Sequence, residues 1–372
     1  MPSQILHAIY GEDVVAGIHR RIAGRFGIVA GKALEKIGLD YKTAFFLGCQ
    51  GPDIFYHSRH RRPVGLEYGS LLHRRGAGIF TAGLLKMGLP NPPPDEEDIR
   101  AHRREKGINA LGVYAIGFMT HAILDRKTHP YIVYKSGIFS PSKPETRRYA
   151  MFHVFFERIL DVLMLKIRKG IKIKSWDQSF LADVCENPPQ GLCELLANSL
   201  TLAFPERAGK DEKLRVRVEN TFLDCAGYYR FTNPAITSVK KKYRGNFPKK
   251  DSLDALPYFY PVKIRNGKRI GVDFLNLKKR PWFYPAAGGE RDERSFPEIY
   301  ADAVDFAADS ISPVIEKYLD TGVFPIPDAA RAIGNGGLSI NDENGKPCVP
   351  VLADPLPLDR VLKKQAFYRG LR

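Results

Sequence analysis

Two short stretches of this chain place imidazole and carboxylate groups four residues apart: GFMTHAILDRKTH, with His121, Asp125 and His129, and FHVFFERILD, with His153 and Glu157. In an α-helix, residues four apart share a face about one turn apart. His121 and Asp125 can therefore converge on one point, and so can His153 and Glu157. A single pair of this kind is most often a surface ion pair. Two pairs in strongly apolar surroundings, with His129 between them, point instead to metal ligation. Imidazole with carboxylate is a donor set that suits zinc, and no thiolate belongs to it.

These groups need helices to hold them. Leu111 to Thr128 carries apolar residues at helical spacing, and Pro130 predicts a helix end at about His129, which places that histidine at a terminus. Tyr149 to Ile167 is apolar almost all round. Such a helix is buried, and a buried carboxylate must be paired or bound to a metal. The stretch between the motifs, Tyr131 to Arg148, contains Gly137, Pro141 and Pro144 and is expected to be a loop crossing the site opening.

The flanking chain also reads as helical. Residues 4–37 predict one or two helices, with His7 on a peripheral first turn or two. Residues 43–58 begin as an apolar helical turn and break at Gly51-Pro52, leaving Asp53 on a rigid turn with Tyr56 beside it. Residues 66–89 predict a single helix carrying His73, and 176–205 and 211–231 predict further helices. A capped amphipathic helix over 296–320 is expected to be interrupted near Pro313. Asn266-Gly267, flanked by alternating apolar residues, predicts a small β-hairpin near 260–275. The basic run KKKYRGNFPKK at 240–250 reads as a solvated loop. Beyond Tyr318 the chain turns rich in Pro, Gly, Asn and Asp, so a helical domain over 1–322 and an irregular C-terminal extension over 323–372 are expected, with every metal ligand inside 1–160.

At 372 residues the chain can bury a large core, and its 44% hydrophobic and 11% aromatic content excludes general disorder. A net charge of +16 suits an anionic partner such as a phosphodiester or a membrane surface touched peripherally, a bias of the surface that names no substrate. Five cysteines without a CxxC spacing read as buried free thiols. No apolar run reaches the ~18 residues of a transmembrane segment, and no secretory signal pattern stands at the N-terminus, so a soluble cytoplasmic protein is expected. Neither Walker A nor Rossmann glycine patterns occur.

Taken in order, His7, Asp53, His73, His121, Asp125, His129, His153 and Glu157, together with the Gly51-Pro52-Asp53 step, resemble the zinc-dependent phospholipase C family, which shares its all-α fold and trinuclear zinc site with zinc-dependent single-strand nucleases. The resemblance covers about residues 1–170. It implies an all-α multi-helix bundle of that type, completed by the helix over 296–320. It implies that Asp53, His73, His121 and Asp125 hold one zinc, that His129, His153 and Glu157 hold a second, and that Asp125 bridges to a third with His7. The third ion should be the most weakly held, because the family's N-terminal tryptophan, a ligand to it, has no counterpart in Met1-Pro2-Ser3.

The function so implied is phosphodiester hydrolysis by in-line attack of a zinc-activated water at phosphorus, phospholipase C-like in substrate. Asp53 would orient that water or act as base, and Tyr56 would line the substrate pocket or serve a core or capping role. Two rival readings stand beside it: a nuclease with the same metal chemistry, and a metal-stabilised binding protein without turnover. An exposed apolar rim at the site favours lipid, and a basic groove with stacked aromatics favours nucleic acid.

Overall fold

A central helix, buried on all sides for most of its length, organises the structure, and the others pack around it. In the computed structural model, which describes residues 4–38, 41–88, 96–235, 253–267 and 271–369, the chain order begins with α1 (Gln4–Gly38), α2 (Lys42–Cys49), α3 (Leu66–Arg74), α4 (Ala77–Gly88) and α5 (Glu97–Lys106). The central helix is α6 (Ala110–Ser136), followed by α7 (Arg147–Lys169), α8 (Ser179–Glu186), α9 (Leu192–Ala203) and α10 (Leu214–Thr232). Last come α11 (Phe296–Thr321), α12 (Ile326–Ile333) and α13 (Leu358–Tyr368). The only strands among the described residues are β1 (Trp282–Phe283) and β2 (Arg291–Asp292), which pair antiparallel. The protein is thus predominantly helical, as its periodicity predicts.

Local signals explain several helix ends. Asn109 caps α6 by accepting from the Gly112 N–H at 2.8 Å, and the helix stops at Gly137, whose positive φ breaks the ladder. Helix α11 starts with a capping box between Ser295 and Glu298 and ends at left-handed Gly322. Basic residues Lys166, Arg168 and Lys169 sit in the last turn of α7, where the helix dipole favours them.

Several expectations are corrected. Helix α6 runs through Pro130 to Ser136 and does not end near His129. A proline inside a helix costs ~3 kcal/mol, but Tyr131 and Ile132 just beyond it are buried, and each such side chain contributes ~1.5–3 kcal/mol. Packing therefore wins. Helix α11 likewise passes Pro313 without interruption, with Ile311, Val314 and Ile315 buried around it. The expected loop between the motifs is shortened accordingly to 137–146, with a single 3₁₀ turn at Pro144–Thr146.

The single helix expected over 66–89 is two helices, broken where Arg75 is extended and Gly76 has φ 81°. Helix α4 is capped from far away, with the Ile79 N–H donating to Asn335 Oδ1 at 2.9 Å. The hairpin near 260–275 is not formed as a strand pair in the described residues. The Gly267 N–H does reach the Val272 carbonyl at 2.9 Å, but Asn266 and Asp273 close the turn through their side chains. Residues 268–270 and the basic run 240–250 lie outside the described residues. Helices α12 and α13 stand in the segment for which composition predicts little regular structure, and Phe324, Ile333, Leu338, Leu358 and Val361 are buried in the same core as α1 to α11.

Two packing contacts set up the site. Helix α1 lies along α11, joined by Tyr10 donating to the Ala303 carbonyl at 2.7 Å and Tyr300 donating to Asp13 at 2.8 Å. Helices α2 and α6 approach at backbone distance across Gly48 and Gly117; a Cβ on Gly48 would stand 2.2 Å from the Tyr114 carbonyl oxygen. No helix of the described residues is long and apolar enough to cross a membrane.

Candidate metal centre

The α2–α6 contact brings the Cys49 carbonyl within 3.0 Å of His121 Nδ1. A carbonyl only accepts, so that ring nitrogen carries the proton and Nε2 presents its lone pair inward. Helix geometry stacks Asp125 one turn below, its Oδ2 3.2 Å from His121 Nε2. The Asp125 Oδ1 lies 3.2 Å from His7 Nε2, and the His7 and His121 rings stack with centroids 4.1 Å apart. His7 is buried at the centre of the molecule, not on a peripheral turn, because α1 is packed against α6, α7 and α11.

Asp53 enters from the 3₁₀ turn Gly51–His57, with its Oδ2 3.9 Å from His121 Nε2 and 4.0 Å from His7 Nε2. His7, Asp53, His121 and Asp125 together form one buried set whose donor atoms lie within 4.8 Å of one another. Gly51 leaves room for this set. Its φ is 54°, and a Cβ there would stand 2.3 Å from the His121 ring. His73, at the end of α3, stands at the edge of the set, with Nε2 3.0 Å from Asp53 Oδ1 and 3.4 Å from Asp125 Oδ2. Its Nδ1 donates to the Gly69 carbonyl at 2.7 Å.

A second set lies farther along α6. His129 Nε2 is 3.5 Å and His153 Nε2 3.1 Å from Glu157 Oε1, and the two imidazoles stack with centroids 5.6 Å apart. The continuation of α6 past Pro130 is what keeps His129 on the face that carries Asp125, whose Oδ2 is 3.6 Å from His129 Nδ1. Asp125 thus touches both sets. His129 Nδ1 also meets the Leu338 carbonyl at 3.1 Å.

The electrostatics favour a cation among these groups. Asp53 Oδ2, Asp125 Oδ2, Glu157 Oε2 and His121 Nε2 are buried and make no hydrogen bond, although carboxylate and ring nitrogen lie so close. Lone pairs that converge on a shared point, without facing a donor, call for a proton or a metal ion between them. Asp125 is held well below the usual carboxylate range: burial would raise it, but the His129 and His121 imidazoles outweigh burial. Glu157 is lowered in the same way, with His153 overcoming burial. Burial also works to lower His129, yet Asp125 and Glu157 raise it to about 9. His73 is raised well above its ordinary value, with Tyr56, Asp125 and Asp53 overcoming burial, whereas burial lowers both His7 and His153.

The residues present therefore fit divalent ions bound through nitrogen and oxygen. The three carbonyl-anchored imidazoles have the outer partner that metal-ligating histidines regularly show. Cys49 takes no part, since burial pushes its thiol up to about 12 and its sulfur faces Thr120. All five cysteines are free thiols.

Beside His73 opens a cleft of about 1070 Å³. The loop after α6 forms one wall through Phe139 and Lys143, and the segment after Asn341 forms the other through Val349 and Val351. Tyr56 lines it too, half-buried with its ring centroid 4.9 Å from that of His73. All eight residues singled out by motif and resemblance thus meet in one region. Missing from that set are Leu338 and Arg126, which hold the centre from outside. Leu338 belongs to a stretch that reads only as a turn, and Arg126 looks like any charged helix residue. Comparison of the chain with protein-family models, curated proteins and solved structures finds no match.

Proposed function

We propose that this chain is a zinc-dependent phosphodiester hydrolase, with phospholipid head-group esters as its substrate class. The observation that carries this reading is Asp125, one buried carboxylate shared by two ligand sets that otherwise draw on different residues. His7, Asp53, His121 and Asp125 would hold one ion, His129, His153 and Glu157 a second, and His73 stands at the edge of the first set, beside the cleft. Bound zinc would supply Lewis acidity toward the phosphoryl oxygens and bring the pKa of water from ~15.7 toward ~7. Asp53 orients the nucleophilic water or takes its proton, with His73 steadying the carboxylate through a 3.0 Å contact. Tyr56 walls the cleft, and Lys143 and Arg74 at its mouth attract the phosphodiester.

The rim of the cleft supports lipid over nucleic acid. Val349 is 79% exposed, Val351 55% and Phe139 45%, all at the mouth of the same cleft. These residues suit acyl chains and the interface of a bilayer, whereas a strand-binding groove needs a row of stacking aromatics. The test is hydrolysis by zinc-reconstituted protein of phosphatidylcholine, in vesicles and as a short-chain soluble form, beside single-stranded DNA. Release of diacylglycerol, abolished by chelator and restored by zinc, is expected. Cleavage of DNA without lipid hydrolysis would establish the nuclease reading, and two bound ions with no turnover would establish a binding protein.

A further inference from the structure

We propose that residues 333–341 are a strap that orients the ligands of the metal centre, with Arg126 as the positioning residue that holds it down. The inference rests on reading the two ligand sets as a metal centre. Its core is a single residue with both backbone groups engaged: the Leu338 N–H donates to the His73 carbonyl at 2.8 Å, and the Leu338 carbonyl accepts from His129 Nδ1 at 3.1 Å. One residue more than 200 positions downstream therefore touches a histidine at each set. The Leu338 side chain is fully buried in the core, which anchors the residue that makes both bonds.

Arg126 follows the shared Asp125 directly and precedes His129 by one turn of α6. Among the described residues its guanidinium makes no carboxylate pair, and it turns its donors to the strap: Nη1 to the Ile333 carbonyl at 2.5 Å, Nε to Gly337 at 3.1 Å and Nη2 to Gly336 at 3.4 Å. Asn341 adds a second hold on the Gly337 carbonyl at 2.9 Å. At the other end the strap is pinned to α4, where the Gly78 N–H donates to the Gly334 carbonyl at 2.8 Å.

The consequence is chemical. With Nδ1–H given to Leu338, the His129 ring keeps Nε2 toward Glu157. Without that carbonyl the ring can turn Nδ1 to Asp125 Oδ2, 3.6 Å away, and the second set loses a ligand. Outer partners of metal-bound histidines are worth about 10–100-fold in affinity. The first set keeps its own anchor, the Cys49 carbonyl on His121, and should be nearly indifferent.

The experiment uses the full chain with Arg126→Met, Arg126→Lys and Asn341→Ala. Zinc affinity is resolved ion by ion through chelator competition, and the visible spectrum of the cobalt-substituted protein is recorded alongside thermal unfolding of the metal-free chain. Arg126→Met and Asn341→Ala should weaken one ion about 10–100-fold and change its cobalt spectrum while leaving the other ion within about threefold. Arg126→Lys, which can still reach a carbonyl, should fall between. A lower melting temperature with both ions bound as before would mean that the strap only supports the fold, and would overturn the proposal. Equal weakening of both ions would overturn it too. A wild-type chain that takes up no second ion would sink the metal-centre reading and this proposal with it, whereas two ions in wild type and an unaltered Arg126→Met sink the proposal alone.

Discussion

The first ligand set gathers its groups from α1, the turn after α2 and α6, whereas the second takes two of its three from one face of α7 and the third from α6. In the first, every donor is buried and its position depends on how separate elements pack. In the second, His153 and Glu157 come prealigned by helix geometry, and His153 remains partly accessible. A packed set gains its order from the whole fold. A helical pair needs only one helix and something to aim the third ligand.

The largest expected effect breaks both sets at once. Asp125→Asn removes the shared charge and should reduce metal content at both sets and cut activity by at least about 100-fold, more than loss of an outer partner costs. Glu157→Gln should empty only the second. Elemental analysis of both variants checks this, and loss of the same ion to the same extent would refute the sharing role of Asp125.

Next in size is Gly51→Ala. The left-handed backbone costs ~1–2 kcal/mol in a residue with a Cβ, and forcing that Cβ against the His121 ring costs ~1–3 kcal/mol more. A loss of about 3 kcal/mol should appear in denaturant unfolding, together with weakened binding of the ion at the first set and an unchanged second ion. An equal effect on the two ions would show that they do not depend separately on packing.

Acidity should sharpen the contrast within each set. His129 is raised to about 9, so in the metal-free chain its protonated form adds stability that is present below the ordinary histidine value of 6.5 and is lost as pH rises through about 9. The ion needs the deprotonated ring. Affinity at the second set should therefore climb about tenfold per pH unit up to about pH 9 and then level, the slope of one proton released. Asp125 and Glu157 are lowered, so their contribution is present above the usual carboxylate range and disappears only as pH falls well below it. Competition titrations across a pH series check both signs.

The smallest effect belongs to Tyr56→Phe. The ring beside His73 is retained and only the hydroxyl is lost, so both ions should bind as before while KM shifts no more than about fivefold, the worth of one hydrogen bond.

How much of this was legible in the sequence follows the same division. His121 with Asp125, and His153 with Glu157, are neighbours on a helix, so spacing alone pairs them. Asp53, His73 and His7 stand far from them in the chain, and only the resemblance of the ordered series gathers them. Pro130 and Pro313 misled because the penalty of a proline is local, while the burial that offsets it comes from other elements. The break between α3 and α4 was hidden because its cap, Asn335, is supplied from the far end of the chain. The strap was illegible for the same reason: its function lies in backbone carbonyls, which every residue carries.

The pairing of α1 with α11 also bears on how the protein is made. Tyr10 and its partner Ala303 are 293 residues apart, so at a synthesis rate of about 5–20 residues per second the first helix waits about 15–60 s for the surface it packs on. Asp53, His121 and Asp125 have all left the ribosome well before then. Helices α2, α6 and α7, which also pack on α1, are made earlier, and the Leu6 N–H already finds Asp161 on α7, so what waits for α11 is the outer flank of α1, and the first set reaches its full packing only in the last moments of translation or after it.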